Sequence, residues 1–279
     1  MSLTTYKQEE ITHAWAALKE KRPLVFHVTN AVASALQANV CLAIGASPLM
    51  SQYPEETEEL MELAQGFLVN LGTPTDAAWA TVKRGMAKAE SRGCVLLLDP
   101  VGYGASRFRT ENTNALLREH RFSILKGNAG EISLLAGVGG ETKGVDALSA
   151  GNLKKGVAEL SQKYGCVTCA TGEVDYLSDG ESVLRISGGS ALLPYLSGSG
   201  CVVGTVALSV SAACGDPALG TLCGLLAMGI ASERAEEKCM GKGGGSGTFP
   251  ALLIDELYRL SPEDLPAGLP SGGARWSEI

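Results

Sequence analysis

The chain has 279 residues, of which 45% are hydrophobic and 19% are charged, and its net charge is −7. This composition supports a large buried core and excludes an intrinsically disordered chain. The negative charge, without a cluster of lysine and arginine, excludes a nucleic-acid partner. We expect no membrane association, because the longest apolar candidate, 202–230, is interrupted by Gly215-Asp216-Pro217. The N-terminus has no secretory pattern, so we expect a cytoplasmic location.

Eight cysteines raise the question of disulfides, and most of them lie inside apolar segments, where a free thiol packs as a small hydrophobic group. Cys166 and Cys169 have the spacing of a redox or zinc site. Both fall in one β-rich segment, and no second pair completes a metal site. We therefore predict that the cysteines are free and that this pair belongs to the core.

The predicted elements alternate between amphipathic helices and short apolar strands. In chain order they are a helix at 6–21, a strand at 24–28, a helix capped by Thr29/Asn30 that ends at Gly45, a helix that opens at Pro54, a strand at 67–71, a helix at 75–92, a strand at 95–98 that ends at Asp99, a helix at 110–120, a strand at 123–125, a short helix capped by Asn128, a helix at 153–164 and a strand at 166–170. This alternation predicts an α/β fold with a mostly parallel sheet and helices on both faces.

The last part of the chain departs from this alternation. Segments 174–178 and 182–186 around Asp179-Gly180 predict a hairpin with a two-residue turn. Helices at 201–213, 217–237 and 249–260 follow. A loosely ordered tail rich in proline and glycine is expected over 263–279. We find no linker that would divide residues 1–262, so we expect one domain there.

Polar residues follow five of the predicted strands, at the edge where open α/β sheets bind ligands. These segments are His27-x-Thr29-Asn30, Asn70-x-Gly72-Thr73, Asp99-Pro100-x-Gly102, Lys126-Gly127-Asn128-x-x-Glu131 and Thr171-Gly172. Carboxylates, amides, hydroxyls and a lysine are the groups that a phosphate and metal site needs. The sequence therefore predicts such a site at this edge of the sheet.

Gly198-Ser199-Gly200-Cys201 opens an apolar helix. The glycines let the backbone approach a ligand, and the free N–H groups of the first turn favour phosphate. A tight turn that only joins the hairpin to a buried helix explains the same residues. The segment is not a P-loop, because no Gly-Lys-Ser/Thr follows, and its third glycine comes one residue late for a dinucleotide-binding fingerprint.

Taken together and in order, these segments resemble the ribokinase-like superfamily and, within it, the hydroxyethylthiazole kinase family. The likeness extends from about residue 10 to residue 260, and the segments that carry it are His27-Val28-Thr29-Asn30, Gly45-Ala46-Ser47-Pro48-Leu49-Met50, Asn70-Leu71-Gly72-Thr73, Asp99-Pro100-Val101-Gly102, Gly127-Asn128-Ala129-Gly130-Glu131 and Gly198-Ser199-Gly200-Cys201. Cys201 is specific to the family, since most of the superfamily has Asp there.

The resemblance implies a ribokinase-like three-layer sandwich and a single kinase domain over 1–262. It implies transfer of the γ-phosphate of ATP to the hydroxyl of 4-methyl-5-(2-hydroxyethyl)thiazole, in thiamine biosynthesis or salvage. For catalysis, the resemblance implies Cys201 and an anion hole at Gly198, Ser199 and Gly200. For ligand binding, it implies ATP contacts for Lys126 and Thr171 and substrate contacts for Asn30, Met50, Gly72 and Gly198. It also implies that Asp99 and, through water, Glu131 bind Mg²⁺, with Asn128 in support. Family members are trimers with substrate sites between subunits.

Each of these residues also has a structural interpretation. Cys201 either accepts a proton, with a pKa lowered by the helix N-terminus, or only packs there. Asp99 also suits a turn, and Glu131 suits a capping box with Asn128. Lys126 replaces an arginine that is common in relatives and also suits a solvated strand end. The glycine-rich segment 241–247 is either a loop that closes near the nucleotide or a plain linker.

Three other functions compete with this one. ATP-dependent hydrate dehydratases share the fold and the glycine turn, but they have Asp where this chain has Cys201. Kinases for hydroxymethylpyrimidine or pyridoxal also have Asp at that position. A nucleotide-binding regulator without catalysis is the third alternative, although it has little need for a metal site formed by Asp99, Asn128 and Glu131.

Overall fold

The computed structural model describes residues 3–138, 150–267 and 276–279. The strands in these ranges are β1 (Leu24–Val28), β2 (Ser47–Met50), β3 (Gly66–Asn70), β4 (Val95–Asp99), β5 (Ile124–Asn128), β6 (Val167–Thr171), β7 (Val174–Ser178), β8 (Val183–Ser187) and β9 (Trp276–Glu278). They form one sheet in the order β2-β1-β3-β4-β5-β6-β7-β8-β9.

Strands β1 to β6 are parallel to one another, and β7, β8 and β9 extend the sheet in antiparallel fashion. The parallel strands are joined by helical crossovers, as parallel neighbours require. A mostly parallel central sheet is therefore confirmed.

The helices lie on both faces of the sheet, which confirms the predicted three layers. In the described ranges they are α1 (Gln8–Lys21), α2 (Ser34–Ala43), α3 (Thr57–Met61), α4 (Asp76–Arg92), α5 (Arg107–Glu119), α6 (Ala129–Ala136), α7 (Ala150–Tyr164), α8 (Ser199–Cys214), α9 (Pro217–Gly241), α10 (Phe249–Arg259) and α11 (Asp264–Ala267). Helices α1, α2, α8, α9 and α10 pack on one face, and α3 to α7 pack on the other.

Side-chain alternation along each strand divides the core between these two helical layers. In β3, Phe67 and Val69 pack with the α3–α7 layer, and Leu68 packs with the layer that contains α8. In β4, Leu97 likewise packs on the α8 side. Because residues two apart share a face, Asn70 and Asp99 follow Leu68 and Leu97 onto that side. The alternation of side chains along β3 and β4 therefore directs Asn70 and Asp99 towards α8.

Three local predictions were wrong or incomplete. Helix α2 begins at Ser34, and Asn30 Oδ1 instead accepts the Ala33 N–H at 2.9 Å in the preceding turn. Strand β2 was not predicted. The hairpin loop has four residues, since Ser178 pairs with Val183. Asp179 Oδ1 stabilises the longer loop by accepting the N–H groups of residues 181 and 182 at 3.0 and 2.8 Å.

The tail predicted to be loosely ordered has two described elements. Helix α11 lies within it, and β9 pairs with β8 through Ile186 and Trp276; residues 268–275 lie outside the described part of the chain. Across the described residues, every helix is too short or too polar to span a bilayer. All eight cysteines are free thiols, as predicted, and Cys166 and Cys169 pack in different cores.

Candidate active site

Polar side chains from β3, β4 and β5 meet at the start of α8. Asn70 and Asp99 are register partners on neighbouring strands. Lys126 lies two residues after Ile124, which packs on the α8 side, so it takes the same face. All three side chains are at least 94% buried. A polar cluster this deep is stable only if its members satisfy one another's hydrogen bonds.

Asn70 is the centre of this cluster. Its Nδ2 donates to Asp99 Oδ2 at 3.0 Å and to Cys201 Sγ at 3.2 Å. Asn30 Nδ2 donates to Asn70 Oδ1 at 2.9 Å and to Cys201 Sγ at 3.4 Å. Asn70 therefore links the predicted catalytic residue to a predicted metal ligand. No role was predicted for Asn70, although its position two residues after the apolar Leu68 indicates that it faces the same side of the sheet.

Asp99 and Lys126 form a buried ion pair, with Nζ 3.3 Å from Oδ2. Burial raises the pKa of Asp99 to about 6, and Glu131 adds to the rise, whereas Lys126 and Asn70 oppose it. Burial alone would lower the pKa of Lys126, but the negative potential of Asp99 and, to a lesser extent, of Glu131 raises it above its ordinary value. The lysine is therefore charged at neutral pH, and it is not a solvated strand-end residue.

The Cys201 thiol is half-buried at the third position of α8. Burial and the Asp99 carboxylate raise its pKa above the ordinary value, although Lys126 and the amides of Asn30 and Asn70 oppose the rise. The expectation of a pKa lowered by the helix N-terminus was wrong, because the cost of burying a thiolate is larger than the stabilisation it receives there. Cys201 is therefore a neutral thiol near pH 7 that accepts two hydrogen bonds from amides.

The start of α8 supplies backbone N–H groups. Gly198 caps the helix with φ of +87°, a conformation that favours glycine. Of the predicted anion-hole residues, Ser199 has both donors engaged: its N–H bonds to Leu196 O and its hydroxyl to Leu193 O. The N–H groups of Gly200 and Cys201 belong to the first turn, which has no intrahelical acceptor for them. These two groups are the donors available to an anion.

Lys126 lies directly beside this helix start. An ideal Cβ built on Gly200 would be 3.7 Å from Lys126 Nζ. A fixed cation and a helix N-terminus therefore face the same small volume, which favours an anion there. The ATP-phosphate contact of Lys126 stays a prediction.

Gly72 allows a close approach of the chain to Asn30. An ideal Cβ at Gly72 would lie 2.5 Å from Asn30 Cβ, well inside contact distance. The Gly72 N–H donates to Asn70 Oδ1 at 2.9 Å. The Arg109 guanidinium, which the sequence analysis did not identify, donates to the carbonyl oxygens of Leu71 and Gly72 and to Val101 O at 2.6 Å. Arg109 thus ties the segment after β3 to the segment after β4.

Glu131 closes the capping box that the sequence predicted. Asn128 Oδ1 accepts the Glu131 N–H, and Glu131 Oε2 accepts the Asn128 N–H, both at 2.8 Å. The other carboxylate oxygen of Glu131, Oε1, accepts the Gly102 N–H at 2.7 Å. Both carboxylate oxygens are therefore engaged with backbone. Asp99 Oδ1, in contrast, is buried and has no hydrogen-bond donor among the described residues. An unpartnered carboxylate oxygen fits a metal ligand, so Asp99 suits direct contact with Mg²⁺ and Glu131 suits contact through water.

The described residues contain no group of three or more His, Cys, Asp and Glu side chains that could hold a metal ion by themselves. Mg²⁺ commonly binds through one or two carboxylates together with phosphate oxygens. The site therefore fits a metal that arrives with a phosphorylated ligand.

A cavity of about 690 Å³ adjoins the helix start. Its lining includes Thr171, Gly172, Ser199 and Gly200, the acidic residues Glu173 and Asp175, and an apolar wall formed by Ile186, Leu193, Pro194, Val203, Leu225, Leu226 and Met228. The Thr171 hydroxyl donates to Gly127 O at 3.3 Å, which connects β6 to β5. The glycine segment 241–247 lies within the described residues and does not line this cavity.

Met50 lies apart from the hydrogen-bonded cluster. It ends β2, at the edge of the sheet, opposite His27 in β1, and it is partly exposed. His27 is buried; its Nδ1 lies 2.9 Å from Val25 O and its Nε2 lies 3.2 Å from the Thr205 hydroxyl. Burial lowers its pKa to about 4, so it is neutral and structural.

Comparisons with known proteins agree with this geometry. Residues 15–263 match the model of the hydroxyethylthiazole kinase family. The hydroxyethylthiazole kinase of Caldivirga maquilingensis is 42% identical over 257 residues, which cover 92% of this chain and 94% of the relative. The solved structure of a hydroxyethylthiazole kinase protein from Pyrococcus horikoshii OT3 is similar with a TM-score of 0.84 at 34% identity, covering 97% and 99% of the two chains.

The fold extends to more distant proteins. A ribokinase-like superfamily protein from Enterococcus faecalis V583 is similar with a TM-score of 0.61 at 12% identity, over 92% of this chain and 96% of that one. At this identity the likeness concerns the fold, which is ribokinase-like as predicted.

Proposed function

The chain belongs to the hydroxyethylthiazole kinase family and is an ATP-dependent kinase, and we propose that it phosphorylates the hydroxyl of 4-methyl-5-(2-hydroxyethyl)thiazole at the start of α8. The product is the thiazole phosphate used in thiamine biosynthesis. One observation carries the location: Lys126, Asp99, Asn70 and Cys201 form a contiguous cluster beside the first-turn N–H groups of α8.

The chain's own residues act in this proposal by positioning groups and neutralising charge. The N–H groups of Gly200 and Cys201 and the Lys126 ammonium face the transferred phosphoryl group. Phosphoryl transfer passes through a loose transition state, so fixed donors of this kind supply most of the rate. Lys126 offers charge without the two-point geometry of arginine, because its ammonium is compact.

The acceptor alcohol lies next to Cys201 in this proposal. Asn30 and Asn70 hold the thiol with two hydrogen bonds, and Gly72 leaves room for Asn30. Asn30, Met50, Gly72 and Gly198 form the thiazole side of the site. The polarizable thioether of Met50 suits a flat, sulfur-containing ring.

Mg²⁺ completes the site in this proposal. Asp99 would hold it directly and Glu131 through water, with Asn128 supporting Glu131 through the capping box. When bound, the ion neutralises phosphate charge. Arg109 donates to Val101 O and Asn70 donates to Asp99 Oδ2, so both side chains help to hold the segment at the end of β4.

We further propose that the protein is a cytoplasmic homotrimer with substrate sites between subunits. Met50 lies at an open edge of the sheet and is partly exposed. Val32 and Tyr53, in the segments that adjoin Asn30 and Met50, are 61% and 62% exposed. Apolar groups exposed beside a ligand site are typical of a surface that a neighbouring subunit covers.

A product assay tests the function. Purified protein is incubated with Mg-ATP and, separately, the thiazole alcohol, hydroxymethylpyrimidine and pyridoxal, and phosphorylated product is detected by mass spectrometry. We expect product only with the thiazole alcohol. Product from the pyrimidine or pyridoxal instead, or no product from any alcohol despite ATP binding, would contradict the proposal. Sedimentation velocity, with and without the thiazole alcohol, measures the subunit number.

A further inference from the structure

Asp175, near the start of β7, is an acidic residue in the wall of the 690 Å³ cavity. Its Oδ1 accepts the Gly172 N–H at 2.9 Å, which fixes the carboxylate against the turn between β6 and β7. Among the described residues, no donor bonds its other oxygen, Oδ2. Burial raises the pKa of Asp175 to about 6, while the Gly172 N–H and Lys126 oppose the rise. The cavity therefore contains a fixed hydrogen-bond acceptor with one oxygen available.

Asp175 adjoins both the polar residues and the apolar wall of this cavity, because it bonds to Gly172 and its register partner is Ile186. Thr171 and Gly200 line the polar end, next to Lys126. Ile186, the register partner of Asp175 in β8, begins the apolar wall that continues on α9. A nucleotide with its phosphates at the polar end and its base against the apolar wall has its ribose beside Asp175.

We propose that Asp175 accepts a hydrogen bond from the ribose hydroxyls of the nucleotide and so makes this kinase selective for ribonucleotides. The inference rests on the proposed function, because it takes the cavity as the ATP site. A carboxylate beside the triphosphate alone would repel it, whereas the ribose offers two hydroxyl donors. Acidic residues perform the same task in dinucleotide-binding folds, where they bind the ribose 2′-hydroxyl.

Calorimetric titration with ADP and with 2′,3′-dideoxy-ADP, which lacks both hydroxyls, tests the proposal without catalysis. We expect the wild-type chain to bind ADP about 10- to 100-fold more tightly than the dideoxy nucleotide, the range for hydrogen bonds to a charged group. Asp175→Ala should bind the two nucleotides with similar affinity, and Asp175→Asn should keep part of the preference. Glu173→Gln is the matched control, since Glu173 lines the same cavity but is exposed; it should retain the wild-type ratio.

The outcomes separate this proposal from others. Equal wild-type affinity for ADP and the dideoxy nucleotide overturns it and leaves the kinase function intact. If inosine diphosphate, which lacks the amino group of the base, binds more weakly than ADP while the dideoxy nucleotide binds as tightly as ADP, the donor is the base amino group. This result also overturns the proposal. If Asp175→Ala weakens the binding of both nucleotides equally, and only in the presence of Mg²⁺, Asp175 is a metal ligand and the proposal is overturned. Failure of the wild-type chain to bind any nucleotide refutes the proposed function and this inference together.

Discussion

Replacing Lys126 with methionine tests how the buried Asp99 carboxylate is stabilised. The Asp99 and Lys126 side chains are 1% and 4% exposed, and the ion pair spans 3.3 Å. Methionine occupies a similar volume without the charge. Removal of one partner from a buried pair costs about 3–5 kcal/mol, because the remaining charge is left uncompensated. We expect the free energy of unfolding to fall by an amount in this range at pH 8.

The loss depends on pH, because Asp99 can avoid the cost by binding a proton. Its pKa is about 6 in the folded protein, against an ordinary value of 3.8. An acid with a raised folded pKa stabilises the fold at low pH and loses that contribution as pH rises to the folded pKa. In the wild type most of this loss has occurred by pH 6, and it is complete about one unit higher. Without Lys126 the folded pKa is higher, so the variant continues to lose up to about 1.4 kcal/mol per pH unit above pH 6.

Urea unfolding at pH 6, 7 and 8 in EDTA measures this difference in the absence of metal. The gap between wild type and Lys126→Met should widen by up to about 3 kcal/mol from pH 6 to pH 8. Lys155→Met is the control, because that lysine is 66% exposed and its one ion pair within the described ranges is with its helical neighbour Glu159; its effect should stay within about 0.5 kcal/mol. The double variant Asp99→Asn/Lys126→Met should be more stable than Lys126→Met, because no charge is left buried, but it should remain inactive. A loss below about 1 kcal/mol at pH 8, or one that does not change with pH, would refute the reasoning.

Three further substitutions test single parts of the site. Cys201→Ala should leave ATP affinity unchanged and lower kcat by less than about 100-fold, since a neutral thiol is not an efficient base; loss of ATP binding in calorimetry would contradict this. Gly72→Ala should lower kcat/KM by at least about tenfold, because its methyl group displaces Asn30, whereas Gly151→Ala, with open space around it, should be neutral in the same assay. Glu131→Gln can accept only one of the two backbone N–H groups that Glu131 binds, so the midpoint of thermal unfolding should fall, and the Mg²⁺ concentration for half-maximal activity should rise about tenfold.

The parallel sheet was predictable because its strands are short apolar segments that end in polar residues. Strands buried on both faces show no alternation, yet the residue that follows the apolar segment marks the ligand-binding edge. Asp99 and Lys126 were identified in this way. Strand β2 gave no such signal: it has four residues, includes Pro48, and lies half-buried at the sheet edge.

The connections within the site could not be predicted from the sequence. That Asn70 faces Asp99 depends on the register of β3 against β4, and that Lys126 reaches Asp99 depends on how β5 lies beside β4. A shift of one residue would send each side chain to the other helical layer. The raised pKa of Cys201 depends on its burial, which the motif does not specify.

The two groups nearest the proposed acceptor alcohol limit how its proton can leave. Cys201 is a neutral thiol that already accepts hydrogen bonds from Asn30 and Asn70. Asp99 carries a carboxylate whose Oδ2 bonds to Lys126 and Asn70, and its Oδ1 is the oxygen that fits a metal. Neither group is free to act as a strong base. In a loose transition state the alcohol forms little bonding to phosphorus before the leaving group departs, so its proton becomes acidic late. The rate at this site therefore depends on fixed hydrogen-bond donors and on the position of the alcohol. The small effect expected for Cys201→Ala has the same cause as the close Asp99–Lys126 pair, since burial disfavours an uncompensated charge at either place.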